Sequence, residues 1–298
     1  MSNCPACDSP SSRPWGSDQQ EPILACLNCG TTYFARPIVR PLDYETYYPY
    51  LHYFDHSRFK WELAQRRRRF VFQLQEIERL GPPGRTLLDF GAAVGYFCAI
   101  AGEAGWDASG VEASAPAIEV GVREFGVCYT ALDSVPAGSC SVVTAFHVLE
   151  HLDSPLGTLQ AFREKLTPRG ILVVHVPNQE SMSAFLRYQL KKLLKGPRAR
   201  QGSLYYPEHI TGFTPAGLAA CATAAGFDLV RSSQVSAFSR FHDPWYIRNY
   251  FHEHNIRSLR PRPGGVGDLA KKVACGLIDH AAGWAGRGDW LVAHFRAR

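Results

Sequence analysis

The chain has 298 residues, of which 46% are hydrophobic and 20% charged, and its formal net charge is +5. This length accommodates one large α/β domain with additional segments, and the composition is that of an ordinary globular protein. No apolar run approaches the ~20 residues of a membrane span and the N-terminus does not resemble a signal peptide, so we expect a cytoplasmic protein with no membrane partner. The mild positive charge permits an anionic substrate but does not favour a nucleic-acid partner.

Two C-x-x-C pairs lie near the N-terminus, Cys4 with Cys7 and Cys26 with Cys29, and 18 residues separate them. Four thiolates complete a tetrahedral zinc shell with no open position, so the pattern predicts a structural zinc ribbon over residues 1–36. Such a short ribbon buries too little apolar surface to fold alone, and metal binding supplies the missing free energy. A redox-active pair is the alternative, but that role usually requires a thioredoxin-like unit, of which the sequence has no sign.

Residues 37–84 are predicted to form an aromatic linker followed by a helix. The segment 43–54 is rich in tyrosine, and we expect it either to pack the ribbon onto the core or to cover a substrate pocket. The helix is predicted from Ser57, which caps its start, to Leu80, after which Gly81 and two prolines end it.

Residues 85–298 alternate between strand and helix patterns, which predicts an α/β sheet with helices on both faces. Two segments, 179–205 and 236–288, interrupt this alternation. Because ligands of open α/β sheets bind beyond the carboxyl ends of the strands, we expect both insertions to cover the substrate. Strands are predicted near residues 86–90, 108–112, 127–130, 141–146, 171–176, 227–235 and 289–296, and helices near 95–104, 115–125, 155–166 and 214–225.

The first strand runs into a turn of small residues, and the second strand ends on a carboxylate. The turn contains Gly91 and Gly95, and the carboxylate is Glu112, 21 residues after Gly91. Small residues let a ligand approach the backbone, the following helix offers free N–H groups, and the carboxylate can accept hydrogen bonds from ribose hydroxyls. Dinucleotide binders need a third Gly or Ala five residues after the first, but position 96 is Tyr, so a different nucleoside is indicated.

The pattern Asp89-x-Gly91-x-Ala93-x-Gly95 resembles the D-x-G-x-G-x-G signature of S-adenosylmethionine-dependent methyltransferases with a Rossmann-like core. Further along, the H-x-L-E-H motif of residues 147–151 and the turn of residues 166–170 resemble blocks of a large small-molecule methyltransferase family. This resemblance spans about residues 85–235. It implies a seven-stranded Rossmann-like methyltransferase sheet with the last strand inserted antiparallel.

The resemblance also implies S-adenosylmethionine as the methyl donor and S-adenosylhomocysteine as the product. Ala93 replaces the middle glycine of the signature, and if this position needs a positive φ, alanine costs about 1 kcal/mol relative to glycine. The residues that the resemblance assigns to the cofactor are Asp89, Gly91, Ala93, Gly95, Glu112, Leu132, Asp133, Phe146 and His147.

A methyl sulfonium is already activated, so the protein chiefly has to align the acceptor and remove its proton. Histidine suits this task near neutral pH, and His147, His151 and His209 are the candidates, although each could instead brace its loop. We expect O-methylation of a sugar, a polysaccharide precursor or a natural product. The basic segment 187–200 fits an anionic or carrier-linked acceptor, or simple solvation.

Other activities fit the same motifs. C- or N-methylation of similar acceptors is one alternative, and methylation of ribosomal RNA bases is another, because one such family also joins a four-cysteine ribbon to this core. The alternative outside enzymology is a degenerate methyltransferase fold that acts as a binding module. Activity on small acceptors that does not depend on salt would disfavour the RNA alternative.

Overall fold

The computed structural model describes residues 3–18, 21–35, 57–182, 185–186, 189, 209–235 and 287–298. The strands are β1 (Ser12–Asp18), β2 (Glu21–Cys26), β3 (Thr32–Phe34), β4 (Thr86–Phe90), β5 (Asp107–Val111), β6 (Cys128–Tyr129), β7 (Cys140–Phe146), β8 (Leu166–Pro177), β9 (Thr211–Gly212), β10 (Phe227–Val235) and β11 (Trp290–Ala297). The helices are α1 (Ser57–Arg79), α2 (Tyr96–Glu103), α3 (Ala115–Phe125), α4 (Pro155–Lys165) and α5 (Pro215–Ala224).

Seven strands form one sheet in the order β10-β11-β8-β7-β4-β5-β6. Strand β11 is antiparallel to both of its neighbours, whereas β8, β7, β4, β5 and β6 pair in parallel. The predicted α/β sheet with a reversed last strand is therefore confirmed. Strand β8 begins at Leu166, earlier than predicted, because Leu166 already pairs with Cys140, ahead of an irregularity in the register of the two strands.

The core lies on both faces of this sheet, as the alternation of side chains along the strands requires. Leu88 and Val143 belong to the apolar cluster that includes residues of α4 and α5. Their neighbours Leu87 and Val142 belong to the cluster on the opposite face, with residues of α1 and α2. Because both faces are covered, the central strands are continuous apolar runs in the sequence.

Helix boundaries follow recognisable capping residues. Ser114 caps α3, its Oγ accepting a hydrogen bond from the Ala117 N–H at 3.3 Å, and Gly126 ends the helix with φ +63°. Thr214 caps α5 in the same way, its Oγ1 accepting a hydrogen bond from the Gly217 N–H at 2.9 Å.

The N-terminal region forms a second sheet in the order β1-β2-β3-β9. Its fourth strand comes from the far side of the sequence, because Thr32 pairs with Gly212 and Tyr33 pairs with Thr211. In addition, Thr214 Oγ1 donates a hydrogen bond to the Cys29 carbonyl at 2.7 Å. Sequence patterns did not predict this pairing, which packs the ribbon directly against the start of α5.

Several predicted features lie outside the described residues. These are the aromatic segment 43–54, residues 236–286 of the insertion 236–288, and most of the basic segment within 179–205. Among the helices that the structure describes, none combines the length and the apolar character needed to cross a bilayer.

Candidate functional site

The turn after β4 has alternating residues in the left-handed region of backbone conformation. Gly91 has φ +76°, Ala93 +49° and Gly95 +67°. A Cβ on Gly91 would lie 2.4 Å from Val148 Cγ2, and one on Gly95 would lie 2.7 Å from the Tyr129 hydroxyl, so both positions require glycine. Position 93 does have the positive φ on which the expected cost of alanine depends, about 1 kcal/mol.

The Glu112 carboxylate, directly after β5, closes onto this turn. Its Oε2 accepts a hydrogen bond from the Ala93 N–H at 2.8 Å, and its Oε1 accepts bonds from the Ala113 and Ser114 N–H groups at 2.9 Å each. Hydrogen bonds to an ionised acceptor are strong, so they fix the carboxylate against the turn. The structure thus brings together the glycine turn and the acidic residue that the sequence assigned to one nucleoside.

Tyr129, at the end of β6, was not predicted to take part in this region. Its hydroxyl donates a hydrogen bond to the Ala93 carbonyl at 2.9 Å, so the Ala93 residue is held by Glu112 on its N–H and by Tyr129 on its carbonyl. A Cβ on Gly121 would lie 2.1 Å from the Tyr129 hydroxyl, which shows how closely α3 approaches the ring. The sequence signal for this contact was a tyrosine that ends a short strand at the edge of the sheet.

Asp89 is buried in β4, beneath the turn. Its Oδ1 accepts a hydrogen bond from Thr144 Oγ1 at 2.6 Å. Burial raises the pKa of Asp89 to about 7; the Thr144 hydrogen bond opposes this shift and the nearby charge of Glu112 adds to it. Thr144 was also missed by the sequence analysis, although a hydroxyl in the middle of the mainly apolar strand β7 is the signal that could have indicated it.

Leu132 and Asp133, which the resemblance assigned to the cofactor, follow β6 at the same edge of the sheet as Glu112. They form a short 3₁₀ turn, Leu132–Ser134, in which Leu132 packs against the main core and Asp133 is exposed. Phe146 ends β7, and its ring stacks on Phe70 of α1 with the centroids 6.3 Å apart. This ring therefore contacts the α1 side of the sheet.

His147 follows β7 directly and has a left-handed backbone, with φ +59°. Its backbone N–H donates a hydrogen bond to the His175 carbonyl at 2.8 Å, and its ring lies 5.0 Å from the ring of Trp290. The side chain is 38% exposed, and Nδ1 lies 3.5 Å from Glu150 Oε1. Trp290 is a further residue that the sequence analysis did not assign to the site.

His151 and His209 also lie close to Glu150. Their ring centroids are 4.7 Å apart, and His151 Nε2 lies 3.9 Å from Glu150 Oε1. Burial disfavours the charge of Glu150, but the three neighbouring histidines outweigh it and hold the pKa of this carboxyl below its ordinary value. The three histidines proposed from the sequence are therefore arranged around one buried carboxylate.

The four N-terminal cysteines also meet at one point. The Sγ atoms of Cys4 and Cys29 are 3.7 Å apart, those of Cys7 and Cys26 are 3.6 Å apart, and all four lie within 4.8 Å of one another. The backbone N–H of Asn28 points to Cys26 Sγ at 3.4 Å. The structure therefore brings together all four predicted metal-binding residues.

A family profile described as a methyltransferase domain matches residues 63–232, which is more than half of the chain. The chain belongs to the methyltransferase domain family. The protein is accordingly an enzyme that transfers methyl groups, with S-adenosylmethionine as the donor. Among curated proteins, none matches this methyltransferase in sequence.

The methyltransferase is similar in fold to solved structures of low sequence identity. One is 1,6-didemethyltoxoflavin-N1-methyltransferase from Burkholderia thailandensis, solved with bound 1,6-didemethyltoxoflavin and S-adenosylhomocysteine. It is 17% identical, 96% of this chain and 99% of that chain are covered, and the TM-score is 0.50. Another is a chain of the complex between the Haloferax volcanii Trm112 methyltransferase activator and a protein assigned as a methyltransferase. It is 12% identical, 87% of this chain and 99% of that chain are covered, and the TM-score is 0.51.

Proposed function

We propose that the protein methylates a hydroxyl group of a small-molecule acceptor, a sugar, a polysaccharide precursor or a natural product. The observation that carries this proposal is the position of the histidine cluster, His147, His151 and His209, next to the cofactor turn, residues 91–95. Val148, the residue after His147, contacts Gly91 so closely that no side chain would fit between them. A group that accepts a proton therefore lies next to the proposed cofactor seat.

The residues of the seat fit a nucleoside with an attached amino acid. Gly91, Ala93 and Gly95 form the turn, and Glu112 would share its acceptor oxygens with the ribose hydroxyls. Leu132 and Asp133 would lie by the adenine. When bound, S-adenosylmethionine supplies a methyl group that needs no further activation.

His147 is the histidine best suited to accept the proton of the acceptor hydroxyl. It directly follows the carboxyl end of β7, its side chain is 38% exposed, and its Nδ1 lies 3.5 Å from Glu150 Oε1. Trp290 forms an apolar wall beside the imidazole and would exclude water from the acceptor. Proton removal by a positioned side chain contributes typically about 10²- to 10⁴-fold to a rate.

We also propose that Cys4, Cys7, Cys26 and Cys29 hold a structural zinc ion. In a tetrahedral site with Zn–S bonds of about 2.3 Å, neighbouring sulfur atoms lie about 3.8 Å apart. The Cys4–Cys29 and Cys7–Cys26 separations of 3.7 and 3.6 Å fit this geometry. Because β3 of the ribbon pairs with β9, zinc in the ribbon would also hold the strand that follows His209.

The test is transfer of a radiolabelled methyl group from S-adenosylmethionine to a panel of acceptors with hydroxyl, amine or carbon nucleophiles. We expect hydroxyl acceptors to be methylated, and His147→Asn to lower kcat about 10²- to 10⁴-fold. Asparagine tolerates the left-handed backbone of position 147, so the fold should persist. Labelling of amines or carbons alone would contradict O-methylation, and salt-sensitive labelling of RNA alone would favour the ribosomal RNA alternative.

A further inference from the structure

Glu150 is a carboxylate buried among histidines. The residue is 1% exposed, and neither carboxylate oxygen has a hydrogen-bond partner within the described part of the chain. The imidazoles of His147 and His151 lie 3.5 and 3.9 Å from its Oε1. An ionised carboxylate is costly to bury unless it is paired or coordinates a metal. The arrangement therefore points to a cation that Glu150 would bind.

The surrounding side chains provide a set of metal ligands. The ligand atoms of Glu150, His151 and His209 all lie within 4.8 Å of one another, and the two imidazole rings stand at 75° to each other. In a tetrahedral site with bonds of about 2.0–2.1 Å, ligand atoms lie about 3.4 Å apart. The 3.9 Å between His151 Nε2 and Glu150 Oε1 exceeds this value by about half an ångström, which side-chain rotation can close.

The backbone holds this set in place from two distant parts of the sequence. A 3₁₀ turn, Leu149–His151, presents Glu150 and His151 consecutively. The Ile210 N–H donates a hydrogen bond to the Glu150 carbonyl at 2.8 Å, which fixes His209 beside them. Strand β9 then pairs with β3 of the ribbon, so the residues that directly follow His209 are held by both contacts.

We propose that Glu150, His151 and His209 bind a divalent transition-metal ion. Two imidazoles and one carboxylate are borderline ligands that suit Mn²⁺, Fe²⁺, Co²⁺ or Zn²⁺, and three protein ligands leave coordination positions open. His147 is outside this set, because its ring nitrogens do not lie within 4.8 Å of the ligand atoms of all three other residues. The ion is distinct from the zinc of the ribbon, where four thiolates leave no open position.

The role of this ion rests on the proposed function. The 3₁₀ turn that carries two of its ligands follows Val148, which packs against the cofactor turn at Gly91. A metal with open positions at this place would coordinate the oxygen of a hydroxylated acceptor, fix its position and lower its pKa. The acceptor class is therefore an alcohol or phenol whose oxygen can enter a metal coordination sphere.

The proposal is tested on the full chain loaded with a single equivalent of zinc, which the four thiolates take up and which leaves the second site empty. This protein is titrated with Mn²⁺, and the loss of the free-ion signal is followed by electron paramagnetic resonance. Mn²⁺ prefers nitrogen and oxygen ligands, so the thiolate ribbon does not compete for it. We expect one saturable site per chain, with electron spin-echo modulation from directly bound imidazole nitrogen. Glu150→Gln and His209→Gln should each weaken Mn²⁺ binding by about 10- to 100-fold or more. His147→Asn is the matched control and should retain it.

Absence of saturable Mn²⁺ binding to the wild-type chain would overturn the proposal, whatever the folding of the variants. So would Mn²⁺ without nitrogen coupling, or binding that neither substitution weakens. Calorimetric binding of S-adenosylhomocysteine is measured in parallel on the same samples. Cofactor binding without Mn²⁺ binding would refute the metal site and leave the proposed function standing, whereas the reverse would refute the cofactor seat and leave the metal site standing.

Discussion

Ala93 is the one position at which the turn departs from the glycine signature, and its φ of +49° makes the substitution costly. A left-handed backbone disfavours alanine by about 1–2 kcal/mol. Replacement by glycine relieves this strain, but part of the gain is offset because glycine increases the conformational entropy of the unfolded chain. We predict that Ala93→Gly raises the free energy of unfolding by about 0.5–1 kcal/mol. Urea denaturation at equilibrium measures this change directly.

Ala92→Gly is the control for this prediction. Ala92 is adjacent, is buried, and is not among the described residues with positive φ. Glycine at this position should therefore destabilise the protein, because it removes a packed methyl group and increases the entropy of the unfolded chain. Equal effects of the two substitutions would show that the backbone of position 93 is not strained.

Asp89 should make stability depend on pH in the direction opposite to that of most carboxylates. Its pKa of about 7 exceeds the ordinary value of 3.8, so the folded state retains a proton that the unfolded state has lost between these values. Its contribution to stability is therefore highest below pH 4 and falls as the pH rises to about 7. Replacing the carboxyl with a neutral amide should remove this loss.

We predict that Asp89→Asn, relative to the wild type, gains stability on the order of 2 kcal/mol between pH 5 and pH 8. Urea denaturation of both proteins at the two pH values, without cofactor, gives the difference. Thr144 can donate its hydrogen bond to the amide oxygen as it does to Asp89 Oδ1, so the local structure should persist. A difference that does not change with pH would mean that Asp89 titrates near its ordinary value.

At the scale of elements, the sequence predicted the strands and helices of the large sheet but not the contact between the two sheets. The central strands are apolar runs bounded by capping residues, and these are local signals. Strand β9 has two residues, and its pairing with β3 joins positions 180 residues apart, Thr32 and Gly212. No local pattern reports such a pairing, because it depends on how the ribbon packs against α5.

Thr214 links these elements through two hydrogen bonds. Its Oγ1 accepts from the Gly217 N–H and donates to the Cys29 carbonyl, so one hydroxyl caps α5 and holds the ribbon. We predict that Thr214→Val lowers stability by about 1–3 kcal/mol, from the lost cap and an unsatisfied buried carbonyl. Thr214→Ser retains the hydroxyl and should cost much less; thermal melts of zinc-loaded protein compare them. Equal losses would contradict this prediction, because they would show that the hydroxyl contributes no more to stability than the methyl group.

The candidate site was predictable only in part for a related reason. Glu112 and the glycine turn meet because two neighbouring parallel strands end at one edge, which the spacing of the motif indicates. The approach of His209 to Glu150 depends on β9 and on the ribbon, so the sequence identified these residues separately but not their common cluster. Burial of Glu150 among histidines became evident only in three dimensions.

At the scale of the whole molecule, the ribbon and the large sheet share one apolar core. Leu24 and Tyr33 of the ribbon belong to the same buried cluster as Phe213 and Leu218. We predict that the described units unfold in a single transition, and that removal of zinc by a chelator shifts its midpoint downwards as a whole. Differential scanning calorimetry with and without chelator tests this. A separate transition that disappears on chelation would show that the ribbon folds independently.

The cofactor seat is the central claim, and calorimetric titration of the zinc-loaded protein with S-adenosylhomocysteine tests it most directly. We predict binding to the wild type, weakened about 10- to 100-fold in Glu112→Ala, because the carboxylate is a charged hydrogen-bond acceptor. Glu119→Ala, on the exposed side of α3, is the matched control and should bind like the wild type. Folded wild type that binds neither S-adenosylhomocysteine nor S-adenosylmethionine, or a Glu112→Ala variant that binds as tightly as the wild type, would contradict the account.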